Sequence, residues 1–548
     1  MLAIFLVFCF ASLALSLPTV QLGTTTLVGT DLALSQLEFF GGIPYAEPPL
    51  GALRLQPPVP KAELGVEVFN ASGFGLACLQ AGLPIDAISE DCLTINVLRP
   101  SGISHNDSLP VLFWVYGGGF YEGSASLYNG SAIVAQSVLR GTPVVYVNFN
   151  YRLGPLGFPQ GKEAADRETL NLGIKDELAA LEWVQQNIGA FGGDKKKVTV
   201  FGESAGSVMN SILFLQPSIS DLAWAAIFQS GSASTTLPFN ATVHEKEWSS
   251  FVTAIPGCSA YLGTSSTFPC VQNASSSEIY EGFLQAYSEA NEQFPFAPTL
   301  DGPSGLFPDL PSRLFPMGQF ARLPFIAGTN LDEGKEVHSM RTLFNPPTLN
   351  YTEEVIRSIV NANYSPPAVP TDVMDELMDL YPDVPAEGSP YDTGNETFGL
   401  SPGFKRISAT IGDLAFGSQR RLWSQTTADV GVKSYAYRFA QRLSSTPAYL
   451  GVPHGADIPF VFGQMAIMNE SAPVVALSTV MIDYWVSFAT SLDPNDSLGS
   501  PRPTWAPYTA SDQVLLQISA DNSTVIPDDF NKEQIDFIIS QTVVFRHR

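Results

Sequence analysis

The chain has 548 residues, with 53 acidic against 28 basic side chains and a formal net charge of −25. That surplus repels nucleic acid and anionic membrane surfaces and disfavours acidic substrates. A charged fraction of 15% beside 45% hydrophobic residues excludes disorder and leaves material for a large core.

Residues Met1 to Leu17 carry no charged side chain, contain the apolar run 2–8 and finish on small residues around Ala14-Leu15-Ser16, which predicts a cleaved signal peptide. The run is too short to span a bilayer, no later run is expected to be long enough, and so no membrane anchor is predicted. Once Cys9 leaves with the signal, four cysteines remain in two close pairs, Cys78 with Cys92 and Cys258 with Cys270. Four cysteines allow three connectivities, of which pairing sequence neighbours is the simplest. Each such bridge is worth roughly 3 kcal/mol in the chain-entropy description. N-glycosylation sequons begin at Asn70, Asn106, Asn129, Asn240, Asn273, Asn350, Asn363, Asn395, Asn469, Asn495 and Asn522. Behind a signal peptide they predict a glycoprotein.

The runs 111–115 and 142–147 are short, continuously apolar and β-rich, as strands buried in a parallel sheet are. Gly117-Gly118-Gly119 follows the first run, and three glycines leave backbone N–H groups bare enough to approach a tetrahedral intermediate. A phosphate loop would require G-K-[ST] or G-x-G-x-x-G, and neither is present. Apolar residues at 174, 178, 181, 184 and 188 predict a helix over 174–188. Strand, helix and strand then make a βαβ progression with a right-handed crossover. Its last strand, 198–201, runs into Gly202-Glu203-Ser204-Ala205-Gly206. Strand, sharp turn and helix around a G-x-S-x-G is the nucleophile-elbow pattern, which lifts the Ser204 hydroxyl above a parallel sheet, within reach of a histidine and a carboxylate.

Further strands are predicted at 325–327 and 434–439, and a late helix at 475–492. In this fold class the triad runs serine, acid, histidine. Past the strand at 325–327 stands Asp332-Glu333-Gly334, where a carboxylate could orient an imidazole; local sequence does not choose between Asp332 and Glu333. Of five histidines, His105 precedes the serine, His547 is penultimate, and His244 lies in the charged segment 244–248, read as a solvated helix face. His338 and His454 remain, and His454 is preferred because Gly451-Val-Pro-His-Gly-Ala456 is a Pro/Gly-shaped loop of the kind that carries functional groups. Residues 541–548 are charged and lack the hydrophobic tail of a GPI signal, so a soluble, secreted, extracellular product is expected. No linker, charge block or repeat divides residues 18–548, which are read as one domain despite their length.

Taken in order, eight blocks of the chain resemble the type-B carboxylesterase/lipase family, which includes fungal lipases, sterol esterases and cholinesterases. The blocks are 40–51 (FGGIPYAEPPLG), 89–97 (SEDCLTINV), 116–120 (YGGGF), 150–152 (NYR), 191–194 (FGGD), 202–207 (GESAGS), 332–334 (DEG) and 454–463 (HGADIPFVFG). The resemblance implies an α/β-hydrolase fold: a mostly parallel central sheet flanked by helices. It implies Ser204 as nucleophile, His454 as base then acid, and Glu333 rather than Asp332 as the orienting carboxylate. It further implies an oxyanion hole of the Gly118, Gly119 and Ala205 N–H groups, Ser230 as a serine behind the triad, and the bridges Cys78–Cys92 and Cys258–Cys270. No metal or organic cofactor is required.

The expected reaction is ester hydrolysis through an acyl-enzyme on small-molecule or lipid esters, its rate falling as pH drops through the imidazole pKa. The family's lipases carry a long lid in the first disulfide loop, whereas here only residues 79–91 separate Cys78 from Cys92. Little interfacial activation and neutral esters of modest size are therefore expected, with feruloyl esterase, lipase and sterol or xanthophyll esterase as alternatives. That loop also lacks tryptophan, which disfavours a choline-ester specialist. The family also contains non-catalytic adhesion proteins of the neuroligin type; these lack the nucleophile that Ser204 supplies here.

Overall fold

A computed structural model describes residues 17–236, 239–264, 266–290, 294–336, 349–364 and 368–545. The predicted signal peptide up to residue 16, Cys9, His338, His547 and the side chain of Asn363 lie outside the described residues.

An eleven-stranded sheet organises the chain. Its strands are β1 (Thr30–Leu32), β2 (Leu37–Pro44), β3 (Thr94–Pro100), β4 (Leu109–Val115), β5 (Val145–Phe149), β6 (Gly193–Glu203), β7 (Ala225–Gln229), β8 (Phe325–Asn330), β9 (Ser434–Phe439), β10 (Val514–Ile518) and β11 (Thr524–Pro527). In space they run β11-β10-β9-β8-β7-β6-β4-β5-β3-β2-β1. Neighbours from β5 across to β10 are parallel, and the two flanks are antiparallel. Central strands are buried on both faces, which is why 111–115, 145–147 and 225–228 are apolar without alternation. β5 starts three residues later than the apolar run because Thr142 and Val144 donate their N–H groups to the carbonyl and Oγ of Ser137 in the preceding helix.

Helices cover the sheet: α1 (Ser131–Leu139), α2 (Leu172–Asn187), α3 (Ala205–Leu213), α4 (Gly403–Gly412), α5 (Ser418–Asp429) and α6 (Ala472–Ser491). α2 buries Ile174, Leu181, Val184 and its neighbour Ile188 along the predicted stripe. Contrary to the expectation that no later run could span a bilayer, α6 is 20 residues long with mean hydropathy 1.4, enough by length and composition. It packs as a core helix, 67% of that window lying inside the molecule. Buried Trp485 donates its indole N–H to Gln229, and buried Asp483 accepts from Gln136.

His244 also departs from expectation: it is buried, its ring against Phe239 and its Nδ1 3.8 Å from Glu247. The following helix, Glu245–Ala254, turns Glu247 and Trp248 inward, so positions three and four residues on from His244 carry it to the buried face. Both disulfides join sequence neighbours, Cys78–Cys92 and Cys258–Cys270. The sequon asparagines whose side chains are described are exposed, except Asn495. Its Nδ2 donates to Asp493 and the Trp505 carbonyl while its Oδ1 accepts from the Trp505 N–H.

Between β8 and β9 the chain inserts α4 and α5, and α4 with the turn after it helps to build a second apolar cluster that includes Phe404, Leu414, Phe416 and Ile538. A buried ion cluster ties α5 to the end of β11. Arg420 and Arg421 both hold Asp528, and Tyr508 donates to it as well. Burial alone would raise the Asp528 carboxyl, but Arg420 and then Arg421 outweigh it and hold it well below the usual carboxylate range. Asp528→Asn leaves two buried guanidiniums without their charge partner, so denaturant unfolding is expected to show a loss of about 3–5 kcal/mol. In the natural chain this carboxylate's contribution is complete above an unfolded value of about 4 and is lost as pH falls further toward its folded value.

Candidate active site

The carboxyl edge of the parallel strands gathers Ser204, Ser230, Glu333, His454 and the loop Gly117–Gly119, as a topology of this kind favours. β6 ends at Glu203 and α3 begins at Ala205, leaving Ser204 alone in the turn with φ 54° and ψ −126°. For a residue with a Cβ this conformation is strained by about 1–3 kcal/mol and persists because the surroundings hold it. The Ser204 N–H donates to the Gln229 carbonyl on β7, and its own carbonyl accepts from Val208 in α3. The flanking glycines are forced by contact: a Cβ on Gly206 would lie 2.1 Å from the Val115 carbonyl oxygen, and one on Gly202 2.7 Å from it. Within this close-packed turn Ser204 alone is half-exposed while its neighbours are buried.

His454 follows β9 in the two-residue strand Pro453–His454, which pairs with Asp332–Glu336 just beyond β8. Its Nε2 lies 2.8 Å from Ser204 Oγ, and its Nδ1 lies 2.6 Å from Glu333 Oε2. Glu333 Oε1 accepts from the Asn330 backbone N–H at 2.6 Å and from Ser230 Oγ at 2.5 Å. Both carboxylate oxygens are thereby fixed.

Asp332 points the other way along the same strand. It accepts from Ser389 Oγ and the N–H groups of Tyr391 and Val452, next to buried Lys335. Burial raises the Asp332 carboxyl and lowers the Lys335 ammonium, each opposed by the other's charge. Asp332 thus faces Ser389, Tyr391 and Val452 and not the imidazole.

The triglycine loop passes directly against the elbow: a Cβ on Gly117 would stand 2.9 Å from Ser204 Cβ. Gly118 and Gly119 are half-exposed beside Ser204, with φ of 102° and 59° that disfavour any side chain. Ala205 is the first residue of α3, so its N–H has no acceptor within the helix.

Four further neighbours were not legible in sequence. Glu203 Oε1 stands 3.3 Å from His454 Nε2, placing a second carboxylate at the imidazole. Phe416 stacks on the His454 ring at 4.6 Å and 35°, presented by a single π-helical turn, Asp413–Gly417, between α4 and α5. Asp457, wholly buried, accepts from Tyr437 Oη at 2.7 Å, Gln229 Nε2 at 3.0 Å and Asn330 Nδ2 at 3.3 Å. Burial pushes its carboxyl up, the bonds from Tyr437, Gln229 and Asn330 oppose that, and the Glu333 charge adds to it. Asn330 joins this network to Ser230 and Glu333. Among the described residues no group of three or more His, Cys, Asp or Glu is placed to hold a metal ion.

A hydroxyl on a strained turn, an imidazole between it and an anchored carboxylate, and bare N–H groups alongside can together activate a nucleophile and stabilise an oxyanion. The profile of the carboxylesterase family matches residues 16–538. The secreted triacylglycerol lipase LIP1 of Gibberella zeae is 33% identical, covering 95% of this chain and 90% of its own. Lipase 1 of Geotrichum candidum is 32% identical over 96% of each chain. The crystal structure of Aspergillus niger EstA superposes with a TM-score of 0.82 at 26% identity, over 97% of this chain and 99% of that one. With the geometry and these likenesses together, the chain belongs to the carboxylesterase family and is a carboxylic ester hydrolase of the α/β-hydrolase fold.

Proposed function

We propose that the chain is a secreted serine esterase that hydrolyses neutral esters of modest size through an acyl-enzyme. The observation that carries this reading is the unbroken contact chain from Ser204 Oγ through His454 to Glu333, with Ser204 strained and half-exposed. His454 takes the Ser204 proton as the hydroxyl attacks the ester carbonyl, and the oxygen's charge passes to the N–H groups of Gly118, Gly119 and Ala205. Collapse expels the alcohol, which takes the proton from His454; water then repeats the sequence on the acyl-serine and frees the acid. Ser230 and Asn330 hold Glu333 in place throughout. Residues 1–17 act as the signal peptide, in keeping with the relatives named secreted lipases.

The preference for modest size rests on the loop between Cys78 and Cys92. It is pinned at both ends: Gln80 exchanges two hydrogen bonds with the Gly123 backbone, and buried Glu90 is held by Arg54 and Ser276. A loop anchored beside the triglycine segment is poorly suited to swing as a lid. Tyr121 and Phe294 crowd Gly119, so aromatic rings border the oxyanion donors. The second reading, a lipase acting on acylglycerols, is favoured by the names of the relatives. Rates on p-nitrophenyl esters from acetate to palmitate, methyl ferulate and tributyrin separate them. Smooth saturation through tributyrin's solubility limit and a preference for short or aromatic acyl groups is expected. A steep rise above that limit would instead establish the lipase reading.

A further inference from the structure

Away from the catalytic edge, the antiparallel flank of the sheet carries a second pocket of ≈ 220 Å³. Its floor follows from strand register. Thr30, Phe39, Leu98 and Tyr146 form one row across β1, β2, β3 and β5, and Asn96 and Asn148 form the next row. Two loops wall it. Phe74, 40% exposed, packs its ring 4.8 Å from Phe39, and Tyr128 receives the Tyr146 hydroxyl on its carbonyl.

The polar atoms of the floor are committed within the protein: Asn96 bonds Gly42 and Asn148, and Asn148 bonds the carbonyls of Ala125 and Tyr128. The pocket therefore offers aromatic and aliphatic faces and little free hydrogen-bonding capacity. Such a surface suits the C–H face of a sugar stacked on rings.

Each wall ends in a sequon. Ser72 and Gly73 belong to the loop that begins with Asn70, and Asn129 itself lines the pocket. The Asn129 side chain is exposed and oriented, its Oδ1 accepting from the Ser131 N–H at 2.9 Å and from Ser131 Oγ at 2.6 Å. We propose that this pocket seats the first N-acetylglucosamine of a glycan carried on Asn129. One amino-sugar ring is close to the pocket in size, and a tether at the rim removes most of the entropic cost that a free ligand would meet on a surface so poor in polar anchors. The glycan then acts as a fixed cover for Phe74 and the uncovered corner of the sheet. The proposal rests on the secretory reading.

The test uses the full chain secreted from a eukaryotic host. Site occupancy is mapped by mass spectrometry of peptides. The folded protein is then treated with an endoglycosidase that cuts between the two core sugars, and trimming is followed at each site. Asn129 is expected to be occupied and trimmed at least ~10-fold more slowly than exposed Asn240, the protection that a modest local packing free energy confers. Phe74→Ser, which removes an already exposed wall, is expected to abolish the difference. An unmodified Asn129, or equal trimming of Asn129 and Asn240 in the folded protein, overturns the proposal. Sugar at no sequon overturns it together with the secretory reading, a result distinct from the first two.

Discussion

Ser204→Ala is expected to lower kcat on p-nitrophenyl esters by about 10⁶-fold, leaving a residual rate some 10³-fold above water that comes from the oxyanion donors and substrate binding. Without Oγ, the imidazole 2.8 Å away has no hydroxyl to deprotonate and no acyl-enzyme can form. The same site should show the cost of its own geometry. Ser204 sits at φ 54° and ψ −126°, a conformation that alanine must also adopt but glycine reaches freely. Ser204→Gly is therefore expected to be as inactive as Ser204→Ala yet more stable than it by about 1 kcal/mol, read as a rise in Tm. Equal stability of the two variants would remove strain from the description of the elbow. Activity retained in Ser204→Ala would remove the nucleophile assignment.

The elbow was legible because its determinants are local. A strand, two glycines forced by the Val115 carbonyl, and a helix start all fall within a dozen residues. The central strands and α2 were legible for a similar reason, since burial on two faces or on one stripe writes itself into residue type. The choice between Asp332 and Glu333 was not, because both are acids and only strand alternation sends one toward His454 and the other toward Ser389. The resemblance to a known family implies Glu333, and in the structure Glu333 is the one of the two that lies 2.6 Å from His454 Nδ1.

What remained hidden depends on long-range placement. Phe416 reaches the imidazole through a π-helical turn in an insertion whose register no local pattern reveals. Asp457 looks like any acid near a helix start until Tyr437, Gln229 and Asn330 are brought to it from three strands or their ends. His244 and α6 failed in opposite directions. A charged segment concealed an inward face, and a helix long and apolar enough for a membrane proved to be core. Composition reports how apolar a segment is, not what lies against it.

Glu333→Gln is expected to lower kcat by about 10⁴-fold while leaving KM and the fold nearly unchanged, and the reason lies in which oxygen does what. Oε1 accepts two donors, the Asn330 N–H and Ser230 Oγ. A backbone N–H cannot rotate away, so the glutamine must place its carbonyl oxygen there and turn its NH₂ toward His454. His454 Nδ1 then has to accept, which puts the proton on Nε2, facing Ser204 Oγ 2.8 Å away. That tautomer cannot take the serine proton. The variant keeps every heavy atom in place and inverts one proton. The expected signature is a collapse of kcat with normal circular dichroism and an unchanged KM. Ser230→Ala should lose far less, on the order of tenfold, because the Asn330 N–H still anchors Oε1 and Oε2 still faces the imidazole. Should Glu333→Gln retain more than a tenth of the natural rate, Glu333 would be a packing residue and not the carboxylate that sets the tautomer of His454.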